Sequence, residues 1–289
     1  TPLAKAISSM ATVNSLTIDS TGDTQDRSGR WNNGGPKPYT LTAGEEQIDL
    51  SNKNLGSADV ALLTAWLQRP EVTAAIARVD LRSNELNDDV LAQLRELSDF
   101  TAGQVFVWVR EGKIDLSSAG LTTDDITSLA TFLATPAGAT LASLAIGSNP
   151  IGDEAMIGLL DALKDTSLIS LDISNTDCGV PTVGKLAELL SGATKFGATL
   201  VSVNCLKNDF GDEGLATLLT AIDGTSVRSL CGLTEGQTTA DFSGQNLGPF
   251  DCKILAAEFE VFGVRGFIAT VEAVVLAQNK VGGRKVDLA

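Results

Sequence analysis

Apolar and polar residues alternate in short phrases that return about every thirty residues. The first copies read IDLSNKNL at 48–55, VDLRSNEL at 79–86 and IDLSSAGL at 114–121. They continue as LAIGSNPI at 144–151, LDISNTDC at 171–178, VNCLKNDF at 203–210 and ADFSGQNL at 240–247. A weaker copy, VVLAQNKV, stands at 274–281. The first apolar residues of successive phrases are 31, 35, 30, 27, 32, 37 and 34 residues apart. Period-two alternation at the start of each phrase predicts a half-buried strand. Leu and Ala at helical spacing then predict helices over 58–67, 88–97, 124–133, 153–163, 183–190 and 212–222. Acidic residues open most of these helices, where free N–H groups and the helix dipole favour them. The unit is strand, turn, helix and return. Its recurrence predicts a stack of repeats, and moves the question of function from a pocket to an extended surface.

Two copies carry a fuller pattern. LASLAIGSNPIG at 141–152 and LVSVNCLKNDFG at 200–211 both run on through Asp-Glu into a helix. This pattern resembles the leucine-rich-repeat family, within it the ribonuclease-inhibitor-like type. The stretch SLCGLTEGQTTADFSGQNLGP at 229–249 resembles leucine-rich-repeat proteins of algae and other protists. The resemblance covers roughly residue 13 to the C-terminus. It implies an α/β solenoid, a horseshoe of eight or nine units with parallel strands on the concave face and helices on the convex face. It also implies one domain over 1–289, with an irregular first repeat at 1–46 and an irregular end at 264–289. Asn84, Asn149 and Asn208 are expected to bond the turning backbone as an internal ladder. Lys53, Ala119, Thr176 and Gln245 stand at the same place in other copies, which predicts breaks in that ladder.

Some segments lie outside the repeat. Extra runs before the strands, at 39–47, 105–113 and 230–239, read as short hairpin excursions. A polar, Gly-rich loop at 19–38 carries Trp31. Residues 1–13 place Leu3, Ala6, Ile7 and Met10 on one helical stripe. The last residues, KVDLA at 285–289, read as a strand with no helix after it, and predict an edge covered by a partner, a second copy or further sequence.

Composition narrows the chemistry. The formal net charge is −15, which disfavours binding to a nucleic-acid backbone and favours a partner with a basic surface. There is no histidine, so Ser-His-Asp and Cys-His pairs and His-ligated zinc are excluded. The four cysteines form no C-x-x-C pair and read as reduced and buried. No phosphate-binding or dinucleotide motif is present, and no cofactor is expected. Asp19, Asp23 and Asp26 only faintly suggest a calcium loop. No signal peptide or membrane span is visible, which favours the cytoplasm; a removed leader would leave no trace.

These readings point to a non-catalytic protein-binding scaffold. Between the apolar strand positions, one outward column reads Thr17, Asp49, Asp80, Asp115, Ala145, Asp172, Asn204, Asp241 and Val275. Asp49, Asp80 and Asp115 are expected to stand in line and attract cationic side chains. Arg82 and Lys207 add charge in and near the next column. Trp31, Phe106, Trp108 and Arg110 are the expected interface anchors, because aromatic residues and arginine dominate interfaces. The alternative is a structural subunit docked through its hairpins and C-terminal edge. A regulator of a GTPase or nuclease is a third reading.

Overall fold

The computed structural model describes residues 2–7, 12–263 and 266–279. The protein is a mixed α/β molecule with parallel sheets, in two compact units at 1–110 and 111–289. No helix among the described residues is long and apolar enough to cross a membrane.

The first unit opens with α1 (Pro2–Ile7) and a hairpin of β1 (Ser15–Asp19) and β2 (Pro38–Thr42). It continues through β3 (Gln47–Asp49), α2 (Ser57–Leu67), α3 (Pro70–Ala75), β4 (Arg78–Asp80) and α4 (Asp88–Leu97). It ends in β5 (Phe100–Ala102) and β6 (Val105–Val107). β3 and β4 are parallel, with Ile48 opposite Val79. The other edge of β4 is taken by β6, which runs antiparallel and sets Phe106 opposite Val79. The run at 105–113 therefore does not project as an arm; its first strand closes a sheet edge. Val105, Phe106, Val107 and Trp108 are all buried. An edge strand with unpaired N–H and C=O groups is costly, and an apolar hairpin removes that edge and buries its own rings together. The first hairpin likewise pairs with itself. Thr17 faces Thr40 across it, so Thr17 does not head the column of strand aspartates.

The second unit holds β7 (Lys113–Asp115), α5 (Thr123–Leu133), β8 (Ser143–Ala145), α6 (Gly152–Leu163) and β9 (Ser170–Asp172). Then come α7 (Val180–Ser191), α8 (Lys195–Thr199), β10 (Ser202–Asn204), α9 (Gly211–Ile222), β11 (Thr239–Asp241), α10 (Pro249–Phe262) and β12 (Ala273–Val275). β7 to β10 form a four-stranded parallel sheet in which Ile114, Leu144, Leu171 and Val203 lie in register. α5 packs on α6, α6 on α7 and α7 on α9. The edge of β10 is bridged by Ser229 and Cys231, and β11 pairs instead with β12. The C-terminal strand expected at 285–289 lies outside the described residues.

The predicted ladder exists, and it has a two-phrase rhythm. Asn84 Oδ1 accepts the Lys53 and Leu55 N–H groups, and its Nδ2 donates to the carbonyls of Leu50 and Leu81. Asn149 does the same for Leu121, Leu116 and Ile146. Asn208 serves Thr176, Cys178, Ile173 and Cys205. Asn279, which the weak last phrase supplies, serves Leu247, Phe242 and Leu276. All four amides are buried. Each stands in every second phrase and satisfies both its own backbone and the turn before it. The substituted places at Lys53, Ala119, Thr176 and Gln245 are thus the turns being served, and not the breaks their residue types predict.

Backbone conformation follows the same rhythm. The fifth residue of every phrase has positive φ: Asn52, Ser83, Ser118, Ser148, Asn175, Lys207, Gly244 and Gln278. The seventh does so only in phrases without the ladder asparagine, at Asn54, Gly120, Asp177 and Asn246. Asn, Asp and Gly tolerate that conformation, which explains their place there.

A buried carboxyl secures the segment that closes β10. Glu258 on α10 accepts the Leu230 N–H through Oε2 at 2.7 Å. Its Oε1 has no hydrogen-bond partner among the described residues. Burial pushes the Glu258 carboxyl above its ordinary range, and the Leu230 N–H pulls it back only in part. The folded chain thus holds a proton here that the unfolded chain releases at lower pH. Stability contributed by this group falls as pH rises through that window.

Two outcomes are expected. Asn149→Ala leaves buried backbone groups of two phrases without partners, so urea unfolding should show a loss of about 3 kcal/mol, against under about 0.5 kcal/mol for exposed Thr127→Ala. As pH rises above the ordinary carboxylate range, the parent should lose thermal stability, whereas Glu258→Gln should lose markedly less.

Candidate functional site

The strands β3, β4, β7, β9 and β11 end in the same local device. Asp49 Oδ1 accepts the Ser51 N–H, and Asp115, Asp172 and Asp241 accept those of Ser117, Ser174 and Ser243. Asp80 accepts the Arg82 N–H in the same way. The aspartate two residues before the turn therefore folds the backbone out of the strand, as an Asx turn does. Much of the outward acidic column has this structural work. The Ser243 hydroxyl and N–H hold Asp241 below its ordinary range.

The column is also not one line of charge. In the first unit Asp49 lies beside Asp80, but the other neighbour of Asp80 is Val105 on β6, and not Asp115. Asp80 is only 4 % exposed and sits between Arg78 and Arg82, with Arg82 Nη2 at 2.6 Å. Burial raises its pKa, and the two guanidinium groups and the Arg82 N–H outweigh that and hold it below the ordinary range. In the second unit Ala145 separates Asp115 from Asp172, and Asn204 donates to Asp172. Asp241 lies beside Val275.

The expected anchors divide sharply. Phe106 and Trp108 are 0 % and 5 % exposed and belong to the core of the first unit, which removes them from its surface. Arg110 is spent on the carbonyls of Ile76 and Thr73. Trp31 remains, 39 % exposed, on the polar loop. That loop is ordered by carboxylates. Asp23 accepts N–H groups from Thr24, Asn33 and Gly35, and Asp26 accepts those of Ser28 and Arg30 with the Ser28 hydroxyl. These oxygens organise backbone, so they do not form the faint calcium loop read from the sequence. Buried Asp59 ties the loop to α2 by accepting from Thr21, Gly56 and the Tyr39 hydroxyl.

The second unit contains a cleft of about 670 Å³ where the repeat is interrupted. Residues 227–233 occupy the edge of β10, so the next phrase cannot pair there. The turns before α7, α9 and α10 leave a gap lined by Asn175, Asp177, Lys207, Asp209 and Asn246. At its sides two carboxylates are engaged. Asp153 accepts from the Gly179 and Thr182 N–H groups and the Thr182 hydroxyl, which caps α7. Asp251 accepts from the N–H groups of Lys207 and Gly248. Asp177 and Asp209 are exposed at the opening. The Cys178 thiol beneath is pushed up by burial, which keeps it a poor nucleophile. Of these residues only Lys207 is among the candidate binding positions read from the sequence. The available signal was the polar fifth to seventh residues of consecutive phrases, which stacking brings to one place.

No protein-family model matches the chain, and comparison with curated proteins gives no significant match.

The Asp80 cluster is directly testable. Asp80→Ala should cost about 2 kcal/mol in urea unfolding, because it removes a buried carboxylate that pairs with Arg78 and Arg82, whereas Asp49→Ala should cost about 0.5 kcal/mol. A carboxylate held below its ordinary range stabilises the fold above that range, and the benefit fades as pH falls through its folded value. Acid titration of unfolding should therefore be steeper for the parent than for Asp80→Asn.

Proposed function

We propose that the chain is a leucine-rich-repeat solenoid of the ribonuclease-inhibitor-like type and a non-catalytic scaffold for protein binding. The strand–turn–helix order of each unit supports the fold reading, as does the asparagine ladder. The observation that carries the functional reading is the cleft in the second unit. Its carboxylates are of two kinds: Asp153 and Asp251 are consumed by backbone groups, and Asp177 and Asp209 stand at the opening. Fixed turn geometry means that little ordering is needed when a partner arrives. With a net charge of −15, the partner that fits presents lysine or arginine, and encounter should weaken with salt. Lys207 lines the same cleft, and Asp115 and Asp172 stand on strands of the same unit. Asp49, Arg82 and Trp31 are carried by the first unit. Enzymatic chemistry is not part of this reading.

One observation favours the second reading, an assembly subunit. Val274 is 38 % exposed, although the corresponding residue of every other phrase is buried. The hairpins do not add to it, since the described β6 strand closes a sheet edge within its own unit.

Affinity capture with crosslinking from the source cell, comparing the parent with the double variant Asp177→Asn and Asp209→Asn, separates the two. The scaffold reading expects a salt-sensitive partner held by the parent and reduced at least tenfold in the still-folded variant. Unchanged capture, with crosslinks gathered around residues 271–279, would overturn it in favour of the assembly subunit.

A further inference from the structure

The first unit has a second cleft, of about 300 Å³, that the reading above does not use. The polar loop folds over the turns of the first two phrases and encloses it. Its walls are Asn33, Lys37, Asn52, Asn54, Ser83 and Glu85, with Gly22 and Leu55 at the junction of loop and turn. The walls are fixed before any ligand arrives. Asn54 Nδ2 donates to the carbonyls of Asn33 and Gly35, both at 2.8 Å, and the Gly22 N–H donates to the Asn54 carbonyl. A side chain at Gly22 would place its Cβ 2.3 Å from the Leu55 carbonyl oxygen, so the close approach of loop to turn needs glycine. Asn52, Asn54 and Ser83 hold left-handed backbone conformations, which set the direction of their side chains.

What the walls present is chemically specific. Lys37 Nζ is already engaged by the Asn52 carbonyl at 2.8 Å and Asn52 Oδ1 at 3.0 Å, so it is not a free anion-binding charge. The side chains of Asn33, Ser83 and Glu85 make no hydrogen bond among the described residues. Asn54 keeps its Oδ1. The cleft therefore offers amide, hydroxyl and carboxylate groups, donors and acceptors together. A phosphorylated ligand does not suit an engaged lysine beside a carboxylate on a chain of net charge −15. An apolar ligand does not suit walls of this polarity. A sugar hydroxyl both donates and accepts, and pairs with such a mixed set of groups. Beside the wall, the Trp31 ring lies against Gly35, about 3.2 Å from where a Cβ would stand, and presents an exposed aromatic surface.

We propose that this cleft is a binding site for a neutral, polyhydroxylated ligand, a mono- or oligosaccharide. Asn33 and Glu85 bond its hydroxyls, Asn54 and Ser83 complete the wall, and Trp31 supplies an apolar platform beside it.

The test uses the whole chain and a panel of glucose, galactose, mannose and N-acetylglucosamine as mono- to tetrasaccharides. Trp66 and Trp108 are buried, so the ligand-sensitive part of the tryptophan fluorescence reports Trp31. A saturable change is expected, with Kd on the order of 1 mM for a monosaccharide and tighter for oligomers. Asn33→Ala and Glu85→Ala should each weaken it at least tenfold with unchanged melting, and Asp177→Asn should leave it intact. No saturable response to any member of the panel at about 50 mM would overturn the proposal. So would binding that survives both cleft variants, or a stronger response to inorganic phosphate than to any saccharide.

Discussion

The buried asparagine side chain, placed once in every two phrases, is the constraint on which the rest depends. A turn that leaves a strand inside a stack of layers exposes N–H and C=O groups where water does not reach. One amide that both accepts and donates settles several of them at once. Asn149, for example, is fully buried and binds backbone on two successive phrases. Without such a side chain, the short three-residue strands could not turn away into helices at a regular interval. Apolar burial supplies the drive to stack, and the amides decide where each layer turns.

The places where stacking stops are as informative as the places where it continues. β4 is followed in space by β6 and β10 by the segment at 229–231, so each parallel run ends in a piece that does not belong to the repeat. Closing an edge in this way satisfies strand backbone but prevents the next phrase from pairing. Surface features follow from that trade. In the second unit the gap between turns becomes an acidic cleft. In the first, the long polar loop is drawn over the turns by Asp59 and Asp23 and encloses a neutral polar one.

Much of this was legible in the sequence, for identifiable reasons. The strand–helix alternation was legible because Leu, Ile and Val recur at two distinct spacings, and the helix over 88–97 lies where the pattern places it. The ladder was legible at Asn84, Asn149 and Asn208, but its rhythm was not. Lys53 and Ala119 look like losses until one sees that the amide of the next phrase reaches back to them. The positive-φ residues Asn54, Gly120, Asp177 and Asn246 were the overlooked sign of two alternating turn types. Phe106 and Trp108 misled because alternation with valine reads as a two-faced strand, whereas this strand is covered on both faces. The turn-making role of the aspartate column was not legible, because a carboxylate on an outward strand position looks free, and its bond to a backbone N–H two residues on is invisible in composition.

Amide hydrogen exchange tests the central claim most directly. If asparagines tie alternate turns, the amides of Leu55, Leu121, Cys178 and Leu247 should be protected as well as those of the helix interiors, although all four lie in turns. Exchange of these amides at the rate of ordinary exposed turns would contradict the account.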